Sequence, residues 1–133
     1  MKLTLMLFLF SFCAIVNTMG QEKTWIDSNG ITTTKEKATF YNILSADKKG
    51  NQRVITYYFS GNKALESYLT NGKKEGKSIE FYVTGEVKTL GDFKVGLKDG
   101  LWKTYYENGK IREKGKYAKG EKIGIWKTYY KKD

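Results

Sequence analysis

The feature that most constrains the fold is a period. Tyr58, Tyr82, Tyr106 and Tyr130 fall 24 residues apart, and so do Gly72, Gly96 and Gly120, Gly76, Gly100 and Gly124, and Gly61, Gly85 and Gly109. A repeat of that length is one supersecondary unit that buries its apolar side only against its neighbours. The chain is therefore read as a tandem array. Residues 52–71 form a degenerate unit, 72–95 and 96–119 full units, and 120–133 a truncated one.

Each unit reads as one β-hairpin. Leu101 to Glu107 and Lys110 to Tyr117 are aromatic and β-branched runs on either side of Asn108-Gly109, a pair that suits a two-residue type I′ turn. Such a turn sets Tyr106 opposite Ile111, Tyr105 opposite Arg112, Thr104 opposite Glu113 and Trp102 opposite Gly115. Trp102, Thr104, Tyr106, Ile111, Gly115 and Tyr117 then share an aromatic face. Leu101, Lys103, Tyr105, Arg112, Lys114 and Lys116 share a basic one. Glycine inside a strand marks close approach by a bulky group, so Gly91 and Gly115 are read as seats for an aromatic ring, with Ser67 as their small equivalent. Gly115→Val is accordingly expected to crowd Trp102. Tyr58, Tyr82, Tyr106 and Tyr130, stacked in register from unit to unit, are read as structural, together with Trp102 and Trp126. The fold class is all-β: one elongated, twisted meander of hairpins.

The pattern G-x-x-x-G-x-W-x-x-Y-Y-x-N-G-K, written out by Gly96 to Lys110, resembles MORN repeats in the variant form of bacterial YwqK-type antitoxin proteins. The resemblance covers roughly Tyr57 to Tyr130. It implies an elongated hairpin array used for binding or scaffolding, with no catalytic site of its own, and an antitoxin or immunity-like role.

Before the array the period fails. Met1-Lys2, the apolar run Leu3 to Val16, and small residues before Gln21 have the layout of a secretory signal peptide cut between Gly20 and Gln21. A membrane anchor and a lipoprotein acylated at Cys13 are its rivals. The expected location is periplasmic or secreted. Residues 21–51 are then a leader with one or two strands: Trp25 to Ile31 resembles half a repeat, Thr32 to Thr39 a loop or one helical turn, and Phe40 to Leu44 a strand. In the units before Gly96 the face equivalent to the basic one carries Ile55, Tyr57, Ala64, Ile79, Phe81 and Leu90. An apolar patch of that size calls for a cover. The leader residues Trp25, Ile26, Phe40 and Ile43 are expected to supply it as a second layer.

Composition narrows the chemistry. The chain has no histidine, and Cys13, its one cysteine, leaves with the signal, so disulfides, Cys/His zinc sites and Ser-His-Asp or Cys-His catalysis are excluded from the mature chain. Glu80, Glu107 and Glu113 remain, but Glu80 is replaced by Thr104 and Thr128 in the other units, and no segment is long enough to wall a cleft. No catalytic residue, metal site or cofactor is expected. The formal charge is +10, and the lysines gather after Lys94. Lys103, Arg112, Lys114, Lys116 and Lys127, interleaved with Tyr105 and Tyr129, form a candidate surface for an unidentified acidic protein or for an anionic lipid or glycan. Nucleic acid is not expected for an exported chain. At the C-terminal edge Lys127, Lys131 and Lys132 favour charge protection, hence a monomer, over dimerisation by strand addition.

Overall fold

A computed structural model describes residues 23–130. The signal reading, with its Gly20-Gln21 junction, and Lys131 to Asp133 lie outside the described residues. Among those residues the protein is one open sheet of ten antiparallel strands, without an α-helix. The strands are β1 (Lys23–Ile26), β2 (Phe40–Ala46), β3 (Gln52–Tyr58), β4 (Lys63–Thr70), β5 (Lys73–Lys74), β6 (Gly76–Phe81), β7 (Val87–Lys94), β8 (Leu97–Tyr105), β9 (Ile111–Ala118) and β10 (Glu121–Thr128). They pair in chain order, except that the two-residue β5 lies against β4 off the main path. The hairpin meander is therefore the architecture found.

Two kinds of turn alternate, and the type I′ turn is not where Asn108-Gly109 suggested. Tyr106 accepts a hydrogen bond from the Gly109 N–H at 2.9 Å and donates its own N–H to the Lys110 carbonyl at 2.9 Å. Of the loop residues Glu107 to Gly109, only Gly109 has positive φ, 79°. This is a three-residue loop with glycine in the left-handed position. The same bonds recur at Tyr82-Gly85 and Tyr58-Gly61. The two-residue turns, with positive φ at both centres, sit at the other end of the strands, at Asn71-Gly72, Val95-Gly96 and Lys119-Gly120. An extra residue restores the expected register below the loop: Tyr105 faces Ile111 rather than Arg112, while Thr104 still faces Glu113 and Trp102 faces Gly115.

The leader does not form a second layer. β1 pairs with β2 through Trp25 and Tyr41, and β2 pairs with β3 through seven residues from Phe40 opposite Tyr58 to Ala46 opposite Gln52. The segment extends the sheet in its own plane, because laying it across a face would leave the outer backbone groups of β3 without partners. Trp25 and Ile43 thus lie beside the apolar patch, not over it, and Ile26 and Phe40 lie on the opposite face. Between β1 and β2 the chain makes one 3-10 turn, Lys35–Lys37.

A single layer has little interior. The buried hydrophobic residues are Ala64 and Trp102, with Ser67 and Ser78 buried beside them. Contacts across neighbouring strands replace a core. Phe93, Trp102, Tyr117 and Trp126 form an edge-to-face chain, with centroid distances of 5.2, 5.9 and 5.0 Å. The repeated tyrosines join one unit to the next, but not by ring stacking. The hydroxyls of Tyr58, Tyr82 and Tyr106 donate to the carbonyls of Phe81, Tyr105 and Tyr129 at 2.9, 2.7 and 2.8 Å. Tyr130 is 86% exposed.

The glycine seats exist, with a different occupant. A Cβ added at Gly91 would fall inside the Trp102 indole, and one added at Gly115 inside the Trp126 indole. Each ring leans back over the preceding strand, so Gly115→Val crowds Trp126, and Trp102 belongs to Gly91. The Trp102 N–H donates to the Asp92 carbonyl at 3.1 Å. In the preceding unit the equivalent positions hold Ser67 and Ser78, the second standing where the later units have tryptophan.

Candidate binding surfaces

Cross-strand registers align into rows that run the length of the sheet. On the basic face one row passes through Lys23, Ile43, Ile55, Glu66, Ile79, Leu90, Lys103, Lys114 and Lys127, each opposite the next. It is mainly aliphatic as far as Leu90 and all lysine beyond. The neighbouring row in the C-terminal half holds Leu101, Lys116 and Ile123.

Most of the sequence-predicted binding residues come together there. Lys103, Lys114 and Lys127 stand directly opposite one another on three adjoining strands. Leu101, Lys114, Lys116 and Lys127, with Ile123 and Ile125, line a shallow hollow of about 340 Å³. The Lys114 ammonium lies 5.6 Å from the centre of the Tyr129 ring. Arg112 is the extra residue of the β8–β9 irregularity and is exposed, its carbonyl accepting the Tyr129 N–H at 2.8 Å. Tyr105 is half-buried opposite Ile111.

The charge environment differs along the row. Among the described residues the ion pairs are Arg53 and Lys63 with Glu66, Lys88 with Glu80, and Lys122 with Glu113. None reaches Lys103, Lys114, Lys116 or Lys127. Like charges opposite one another in a sheet are destabilising, so an anionic partner would relieve a repulsion already present. Glu66 is the contrasting case. Burial pushes its carboxyl up, but hydrogen bonds from Arg53, Lys63 and Tyr68 more than offset that and hold it below its ordinary value. The Lys88 ammonium is raised, chiefly by its hydrogen bond to Glu80.

The opposite face is concave. A groove of about 790 Å³ is lined from Asp27 and Phe40 at one side to Trp102 and Thr104 at the other. The sequence reading gives Trp102 a structural role and misses the groove, which depends on registers across seven strands. Among the described residues no group of three or more acidic, cysteine or histidine side chains is placed to hold a metal ion.

The fold and its two faces define an open tandem-hairpin protein with surfaces, not a walled cleft. Comparison with protein-family models, curated proteins and solved structures returned no match. The likeness to MORN repeats therefore rests on the residues that spell the pattern.

Proposed function

We propose that this is a non-catalytic, exported binding module whose basic sheet face takes up an acidic protein surface. The observation that supports it is the lysine row Lys103, Lys114 and Lys127, set opposite one another and, among the described residues, without an ion pair. An acidic side chain docked along that row exchanges repulsion for charge-assisted hydrogen bonds. Neutralising a toxin is the form of this activity that the resemblance to YwqK-type antitoxin proteins implies. Leu101 and Ile123, 47% and 45% exposed between these lysines, favour a second reading, an anionic lipid surface. Pull-down from the cell envelope at low and high salt, beside sedimentation with anionic vesicles, separates the two. A complex that survives high salt and is lost in Lys103→Glu/Lys114→Glu supports the protein reading. Sedimentation that vanishes at high salt supports the lipid reading. If neither preparation retains the protein, the basic face is only a solubilising surface.

A further inference from the structure

On the concave face a second row runs beside the first. Asn42, Thr56, Leu65, Glu80, Thr89 and Thr104 stand opposite one another in turn on β2, β3, β4, β6, β7 and β8. All six line the 790 Å³ groove. At the usual strand spacing of about 4.8 Å this line is roughly 24 Å long. It is polar at every step except Leu65.

An aromatic pair flanks it on one side. Two residues along the strands in one direction lie Phe40 and Tyr58, whose ring centroids are 5.4 Å apart. In the other direction lie Ser78 and, two strands on, the Trp102 indole. In the later units tryptophan fills the Ser78 position and leans over the glycine of the strand before it, as Trp102 does on Gly91 and Trp126 on Gly115. Here both positions are serine, Ser67 and Ser78, and no indole stands over β4.

The polar groups of the row have hydrogen-bonding capacity to spare; of the other charged residues that line the groove, Asp27, Lys74 and Lys98, the two ammoniums lie over the Phe93 and Trp102 rings at 4.9 and 4.4 Å. Glu80 is neutralised by Lys88 at 2.9 Å. The Thr56 hydroxyl donates to the Asn42 carbonyl oxygen at 2.7 Å, which leaves both Asn42 amide protons to donate outward. Thr89 and Thr104 add hydroxyls that can donate or accept. An anion would meet the Glu80 carboxylate at the middle of the row. A wholly apolar ligand would strip water from five polar side chains without replacing their hydrogen bonds.

We infer that this groove binds a neutral, linear oligosaccharide, its hydroxyls along the Asn42-to-Thr104 row and its ring faces against Phe40 and Tyr58. The ligand class follows from the shape and the chemistry together. A line of mixed donors and acceptors beside an aromatic pair matches a chain of rings that carry hydroxyls at their edges and C–H groups on their faces. The length of the row suits several linked rings better than one, and the volume falls within the range of ordinary ligand sites. The groove opens on the face opposite the lysine row, so this inference goes beyond the reading above and its test is independent of it.

The test is titration of the full chain with cellohexaose, maltohexaose and N-acetylchitohexaose, followed by tryptophan fluorescence and calorimetry at low and high salt. The expected result is saturable binding of at least one hexasaccharide, with an affinity that salt leaves unchanged. Thr89→Val/Thr104→Val keeps side-chain shape on a β-strand and removes two hydroxyls, so it should retain the wild-type melting temperature and weaken binding about tenfold or more. Ser67→Gly/Ser78→Trp rebuilds the glycine-and-indole arrangement of the later units and should block the groove. Lys103→Glu/Lys114→Glu should leave sugar binding intact. No saturable binding to any of the three, or binding that the threonine variant leaves unaltered, overturns the inference.

Discussion

The two halves of the sheet share one architecture and hold it by different means. In β7 to β10 a tryptophan lies on a bare glycine, and among the described residues no ion pair reaches Lys103, Lys114, Lys116 or Lys127 on the opposite face. In β1 to β6 the corresponding positions are Ser67 and Ser78, the opposite face carries Ile43, Ile55 and Ile79, and its one central acid is tied to Arg53 and Lys63. The difference teaches that the hairpin frame is set by turns and backbone pairing, which both halves have. What lies on its faces is free to vary. The polar groove crosses from β2 to β8 on one face, whereas the lysine row on the other is confined to β8 to β10.

That contrast can be broken at its strongest point by Gly91→Val. The new side chain occupies the site of the buried Trp102 indole, and overpacking of this kind costs about 3 kcal/mol. Ser67→Ala in the other half should cost well under that in the same urea titration. Equal losses would mean the indole seat is not what holds the C-terminal units.

The two-residue turns offer a second contrast. Asn71 and Val95 occupy equivalent left-handed positions, at φ 51° and 50°. Asparagine tolerates that geometry and a β-branched residue does not. Val95→Asn is expected to stabilise the protein by about 1 kcal/mol, and Asn71→Val to destabilise it by a similar amount, read from thermal melts. The Val95 N–H donates to the Glu75 carboxylate at 2.7 Å, a bond the substitution leaves in place.

Smaller effects separate the charged regions. Lys114→Glu places an acid between Lys103 and Lys127 and should raise stability by about 0.5 kcal/mol at low salt, fading as salt is added. In the N-terminal half the sign runs with pH. The Glu66 carboxyl is depressed on folding, so its contribution is present above the unfolded value of about 4.3 and is lost as pH falls through the folded value. Glu66→Gln should therefore flatten the acid limb of the stability curve and shift its neutral plateau only slightly. An acid limb unchanged in the variant would show that other carboxylates carry it.

Much of this was legible before any coordinates. The 24-residue spacing of Tyr58, Tyr82 and Tyr106 marks the units, and alternation along Leu101 to Tyr105 separates the lysines from Trp102. The pairing of Trp102 with Gly115 also follows from the turn position, although the turn is of another type. Asn-Gly fits both a two-residue turn and a three-residue loop with glycine last, and the compensating irregularity at Tyr105 leaves no mark in the pattern. The seat of each indole was missed because residues paired across strands need not be those whose side chains touch. Trp102 leans over β7, away from its partner on β9. The leader was misplaced because hydrophobic patterning registers a need for cover, while the stronger demand came from the unpaired edge of β3. The polar row through Glu80, Thr89 and Thr104 becomes visible only when every register is chained to the next.

The tyrosine hydroxyls described above each reach a carbonyl 23 positions further on. Adding or deleting one whole unit leaves every such bond with an equivalent partner, whereas a single-residue insertion in a strand shifts one tyrosine off its acceptor and turns the following side chains over. Viable changes in the length of this protein should therefore come in whole-repeat steps, each lengthening or shortening both faces together.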